Sequence, residues 1–391
     1  MQKNTTGRRL ARVGTGRDLA TLDRPRRHRY AREPMSRSAY VRVARHAGLR
    51  QAAPLARALA ELDDAPDTLA ATLRAHQLIG LVLHVLPEGG LEQCLPPPAA
   101  RAVRARALPL TPLATLVNGF REVQGALAAA GIEQRLLKGF ALAERLYGGL
   151  GARPQHDVDL LVRSASFGRA RRALRSLGFD AAGRDLHSRT LARGPLRIDL
   201  HWCLRWAPAF RIDEDRVWAE PQRLRIDALA FETLSDEWTI VLLALGGFED
   251  LGQGMAKLKQ LLDLYLLLLQ VDAAFDWDAF FGRRGPENLA GIVRTMLGLT
   301  VELFEAQGEL PRLCAALGAP PSSHAAVLDL VFAARKSPAS LAWFASVYPG
   351  SLGHYLAWFW WGGFPGNLGQ WAAARPLASL RLAVSGRRRS R

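Results

Sequence analysis

In the run "HDVDLLV", Asp157 and Asp159 stand one residue apart at the head of an apolar stretch. Side chains of a β-strand alternate between faces, so the two carboxylates share one face. Like charges that close repel and push one pKa upward. A bound divalent cation removes that cost, and hard cations such as Mg2+ prefer carboxylate oxygens. A third carboxylate, Asp199, follows in "RIDLHW", again flanked by apolar strand residues. A lone carboxylate is costly to bury in mid-strand, which favours a ligand role for it. Two-metal phosphoryl or nucleotidyl transfer needs such a set. One cation activates the attacking hydroxyl, and the other holds the triphosphate and stabilises the leaving pyrophosphate. Asp-x-Asp also serves turns and caps, and only its company tells against that use.

That company lies upstream. The short strand "IEQRLL" (132–137) ends in Lys138-Gly139 at the opening of a helix, "FALAERLYG". Glycine lets a backbone approach a phosphate, and a helix N-terminus favours anions. Lys138 adds a positive charge beside them. His201 shares the face of Asp199 by the same period of two, although an ordinary hydrogen-bonded histidine accounts for it equally well.

The elements that must position these residues alternate. After "DVDLLV" come a helix from Phe167 to Leu177, a stop at Gly178, a strand near "SRTLAR", the Gly194-Pro195 turn and the strand "LRIDLHW" (196–202). "PQRLRIDALAF" reads as one further extended segment, and Ser235 as the N-cap of "DEWTIVLLAL". Strand–helix–strand alternation with short turns makes residues 131–235 an α/β (α+β) unit. Helical spacing governs 51–130 before it and 236–345 after it. Residues 346–391 form an aromatic and Arg-rich tail. The leucines of "LKQLLDLYLLLLQ" (258–270) read as core, with Asp263 a packing or capping partner of the catalytic unit.

The formal net charge of +16 is concentrated at the two ends. Residues 1–50 carry fourteen Lys/Arg against three acids, and 375–391 add six Arg and no acid. Between them the chain is neutral, so nucleic-acid binding is expected only through the termini. Residues 1–50 are Arg-rich, with few large apolar residues and no helical or strand period, and read as disordered; initiation at Met35 would also explain the stretch. Cys94, Cys203 and Cys314 match no metal-ligand spacing, which favours a reducing, cytoplasmic setting. No signal-peptide pattern follows the N-terminus, and the most apolar runs fall short of the ~20 residues that span a bilayer.

With Lys-Gly, Leu-Tyr, Arg153, "DVDLLV" and "DLHW" in this order, the chain resembles the uncharacterised bacterial nucleotidyltransferase-like family of the polymerase-β superfamily. The resemblance runs from about residue 60 to 285. It implies a small mixed sheet with flanking helices, Asp157, Asp159 and Asp199 as ligands of two Mg2+ ions, and Lys138 and Gly139 at the phosphates of an NTP. Arg153, His201 and Trp202 would shape the nucleotide rim. Two departures stand out: His156 where a small residue is usual, and Gly246-Gly247 where histidine is common. The expected reaction moves an NMP, with AMP the expected group, to a hydroxyl or phosphate acceptor. The rival expectations are a silent scaffold or nucleic-acid binder, and a toxin-like enzyme acting on RNA or protein.

Overall fold

The computed structural model describes residues 34–107, 112–153, 155–184, 187–205, 210–226, 229–318, 323–333 and 337–348. Seven strands occur among them: β1 (Gln134–Leu136), β2 (Val158–Val162), β3 (Asp180–Arg184), β4 (Ser188–Arg193), β5 (Leu196–His201), β6 (Gln222–Ile226) and β7 (Leu229–Thr233). They form one sheet in the order β3-β4-β5-β2-β1-β7-β6. β2 runs parallel to β5 and β1 parallel to β7, while the other neighbours are antiparallel. The parallel β2–β5 pair needs a crossover. The helix Phe167–Ser176 and the β3–β4 hairpin supply it.

The period of two divides the sheet into two faces. Val158, Leu160, Val162, Ile198 and Leu200 are buried against Phe120, Val123 and Leu127 of the helix Leu113–Ala129, and against Ala170 and Leu174 of the crossover helix. The approach is close: a Cβ on Gly119 would stand 2.1 Å from Leu196 Cδ2. Leu161 and Leu137 point the other way and join a larger core built from helices on both sides of the sheet in sequence. Asp159, Asp199 and His201 alternate onto that second face, so the polar cluster lies between the sheet and the helical body.

Three readings need correction, and one strand has no counterpart among them. The segment 1–50 is not disordered throughout, because Pro34–Gly48 is a helix. Tyr40 with Ala44, and Val43 with Ala47, repeat at four-residue spacing and are all buried. The arginines between them obscured this stripe, since their charged ends reach away from an apolar seam. Residues 1–33 and 349–391, including most of the aromatic tail, lie outside the described residues. The lead-in 51–130 is not one unit: its helices up to Ala105 share a core with those of 236–345, whereas Leu113–Ala129 packs on the opposite sheet face. "PQRLRIDALAF" is a hairpin, β6 facing β7 with Ile226 opposite Leu229. Finally, "DAAGR" is the edge strand β3, whose register shifts between Ala181 and Gly183. No helix among the described residues is long and apolar enough to cross a membrane.

Candidate active site

Parallel pairing of β2 with β5 puts Asp159 opposite Asp199 and Leu161 opposite His201. Ligand atoms of Asp159, Asp199 and His201 all lie within 4.8 Å of one another. His201 Nε2 is 3.2 Å from Asp159 Oδ1. Asp157 precedes the first residue of β2 and lines the same cleft of about 260 Å³ as Asp159, Asp199, Lys138 and Gly139. Asp199 Oδ1 and His201 Nδ1 are buried without a hydrogen-bond partner. A buried carboxylate oxygen with no donor costs free energy, and a cation would satisfy it. Two carboxylates and an imidazole within 4.8 Å fit one divalent ion, and the adjoining Asp157 brings the oxygen-rich donors that suit Mg2+.

Leu137 N donates to Asp159 O (3.0 Å), laying the end of β1 against the carboxylates. The chain then bends at Gly139, whose φ of +46° is strained for any residue with a side chain. A Cβ there would also stand 2.6 Å from Gln155 Oε1. The helix Phe140–Tyr147 that follows has no side-chain cap, and both amide atoms of the buried Gln155 lack partners. Beside Lys138 this helix start therefore lacks a side-chain acceptor, although Ala141 N donates to Lys138 O (2.9 Å), and a helix start of this kind favours anions.

Arg153 is placed differently from the rim role that the resemblance implies. Its Nε and an NH2 donate to Asp263 Oδ1 and Oδ2 (2.9 and 2.7 Å), and Tyr147 OH donates to Oδ1 (2.7 Å). Both members of the ion pair are buried, so the guanidinium fork is committed to Asp263 within the wall of the cleft. Trp202 packs edge-on against Phe167, ring centroids 4.8 Å apart. Gly246 lies beside Gln260, where a Cβ would stand 2.5 Å from Nε2, and Gly247 beside Met296.

The two strand-head carboxylates are pushed apart in proton affinity. Burial, then the charges of Asp159 and Asp199, raise Asp157 to about 6, against Lys138 and Lys259. Burial would raise Asp159 too, but Lys138, the His201 hydrogen bond and Arg153 outweigh it and hold that carboxyl well below its usual range. Without metal, Asp157 is therefore the member of the pair that carries the strain of like charges.

Sequence reasoning missed Lys259 and Gln155. Lys259 is almost fully buried, and burial followed by the Arg153 charge lowers its pKa to about 7. Its signal was present: Lys259 and Asp263 sit four apart in an otherwise leucine-rich helix, on one face. That helix, Leu258–Val271, has no cap from its own Lys257. Instead His76 Nδ1 accepts from Leu258 N and His76 O accepts from Lys259 N, both at 3.3 Å. Gln77 occupies the left-handed region (φ +58°). There it ends the helix Pro66–Ala75 through Leu78 N→Leu73 O and Gln77 N→Arg74 O, the paired bonds of a Schellman stop. Its Oε1 accepts from Lys259 Nζ at 3.3 Å.

A pH dependence follows. Burial lowers His76 to about 4, although a hydrogen bond with the Ala256 backbone favours the charged form. Between pH 4 and 6.5 the unfolded chain binds a proton that the folded one does not, so stability falls as pH drops through that window. The contribution of His76 alone is about 3 kcal/mol, read as the difference between wild type and a variant without the imidazole. Urea unfolding of wild type and His76→Gln at pH 7 and 4.5 checks it, and the variant should lose less.

The chain matches the family described as "Uncharacterised nucleotidyltransferase" over residues 63–305. It belongs to this family. The matched stretch of this nucleotidyltransferase includes both the sheet that carries the carboxylates and the helix that carries Lys259. A solved structure described as an antigenic nucleotidyltransferase-like protein from Paracoccidioides brasiliensis is similar at 15% identity, covering 48% of this chain and 95% of its own, with a TM-score of 0.29. That likeness is too distant to transfer any residue role. No curated protein matches the chain.

Proposed function

We propose that this nucleotidyltransferase moves AMP from ATP to a hydroxyl of a small acceptor in a Mg2+-dependent reaction that releases pyrophosphate. The observation that carries the reading is the register Asp159–Asp199 with Asp157 beside it, closed by a buried Asp199 oxygen that has no donor. Asp157, Asp159 and Asp199 would hold Mg2+, which when bound supplies Lewis-acid activation of the acceptor oxygen and neutralises the departing pyrophosphate. The remaining work belongs to the chain. His201 fixes the Asp159 carboxylate through the 3.2 Å contact. Lys138 and the uncapped start of Phe140–Tyr147 receive the triphosphate, with Gly139 allowing its close approach. Gln155 offers amide groups to the same ligand. The free cysteines and the need for ATP suit a cytoplasmic setting.

The test is transfer of label. Purified protein is incubated with each of four α-labelled NTPs, Mg2+ and a metabolite extract. Label from ATP should enter a new product, with pyrophosphate released and nothing formed in EDTA. If no NTP is consumed and none raises the melting temperature in a metal-dependent way, a catalytically silent scaffold replaces the proposal.

A further inference from the structure

Beside the carboxylate cleft lies a second cavity of about 380 Å³ that the nucleotide reading does not use. This is within the size range of small-molecule sites, ~300–1,000 Å³. Ile79, Gly80, Leu83 and Ala107 form an apolar floor, and Arg74, Arg106 and His84 stand around it. Among the described residues no carboxylate lines it. An acid does reach its wall from outside: Asp67 pairs with Arg106 at 2.9 Å from a side chain 84% exposed. Such a pair is worth little and yields to a better anion. Gln77, His156 and Lys259 line both this cavity and the carboxylate cleft, and His156 is the residue before Asp157. The two spaces therefore meet at the candidate metal ligands.

We propose that this second cavity binds the acceptor, an organic anion with an apolar body and a hydroxyl group. The proposal rests on the nucleotidyl-transfer reading and deepens it. Burying an apolar body there is favourable, while guanidinium groups at the wall give charge-assisted hydrogen bonds to a carboxylate or phosphate. The nucleoside is the other candidate occupant. A neutral base gains no charge pairing from two arginines, and the triphosphate already has Lys138 and the uncapped helix start. With the anionic end held by Arg74 and Arg106, the hydroxyl end points past Lys259 and His156 into the cleft. The acceptor oxygen then forms its bond to the α-phosphorus as the bond from that phosphorus to the bridging oxygen breaks. The electron pair leaves with pyrophosphate, and the hydroxyl proton passes to water.

Three probes of one shape test this: 4-hydroxyphenylacetate, tyrosol and tyramine, which are anionic, neutral and cationic. Binding to the full chain is followed by ligand-observed NMR, alongside Mg2+-ATP titration by calorimetry. The anion should bind best. The double variant Arg74→Gln, Arg106→Gln, altered at residues that are not fully buried, should weaken it about tenfold or more, with Mg2+-ATP affinity unchanged. Equal binding of all three probes, or none by the anion, overturns the proposal. So does a double variant that loses Mg2+-ATP but keeps the anion, which would make the cavity a nucleoside pocket. A wild type that binds the anion through both arginines yet shows no affinity for Mg2+-ATP keeps the anion site and removes the transfer reading instead.

Discussion

Asp157→Asn is expected to abolish transfer, by about a thousandfold or more, while making the metal-free protein more stable at neutral pH. The substitution keeps the volume and removes a charge that burial, Asp159 and Asp199 all oppose. The sign follows from a raised carboxylate. Below pH 3.8 the residue is protonated folded and unfolded, and it costs nothing. As pH rises to about 6 the unfolded chain ionises first, so the folded state loses stability relative to it. Above that the full cost is present, about 1–3 kcal/mol. A neutral amide at this position carries none of it, so the variant's advantage should be large at pH 7 and vanish near pH 4. This window overlaps that of His76, whose slope has the opposite sign. Wild type should therefore show a flattened pH profile, and Asp157→Asn should unmask the His76 slope. Stabilisation by Mg2+-ATP, which follows mass action on the folded state, should shrink in the same variant. Melting curves at pH 4.5 and 7, with and without Mg2+-ATP, measure all of this. A packing role for Asp157 predicts the reverse: lower stability and an intact nucleotide response.

What local pattern could reveal here was set by how far apart the cooperating residues are. Asp157, Asp159 and Asp199 were legible because period two on each strand fixes their face, and parallel pairing then brings Asp159 opposite Asp199. Lys138-Gly139 was legible because a strand end, a glycine and a helix start are consecutive. The edge strand β3 was not, since "DAAGR" has no β-branched or aromatic residue to mark it. The helix Pro34–Gly48 hid behind its arginines, although its alanine and valine stripe packs into the main core. Lys259 hid among leucines, and its supports come from 182 residues away: His76 at the start of its helix and Gln77 at its ammonium. Contacts of that span leave no trace in local periodicity. They also tie the lead-in to the C-terminal helices, whose apolar residues share one core. Arg153 shows the converse, a motif residue that was easy to find but whose partner, Asp263, decides what it does.

That partner supports the last prediction. Asp263→Leu is expected to lower stability by about 3–5 kcal/mol, because it leaves the Arg153 guanidinium buried without its carboxylate and Tyr147 OH without an acceptor. Burial opposes the charge of Arg153, and the attraction and hydrogen bonds of Asp263, with smaller contributions from Tyr147 and Asp159, raise its proton affinity above the usual arginine value. The double variant Arg153→Met, Asp263→Leu removes both charges and fills the space with apolar atoms, leaving only the Tyr147 OH without its acceptor, so stability should return to within about 1–2 kcal/mol of wild type. Transfer should not return with it. Arg153 follows the short 3-10 turn Leu150–Ala152 and leads within four residues to Asp157, while Asp263 lies one helical turn beyond Lys259. The ion pair thus pins the loop that delivers Gln155 and Asp157 to the helix that delivers Lys259, and Arg153 also helps keep Asp159 ionised. An apolar pair can replace the packing but neither the bidentate geometry nor the charge. Chemical denaturation and single-turnover transfer of label, measured on both variants, separate the two roles. A double variant that regains stability and full activity would reduce the pair to packing alone; one that regains only stability assigns it the positioning of the site.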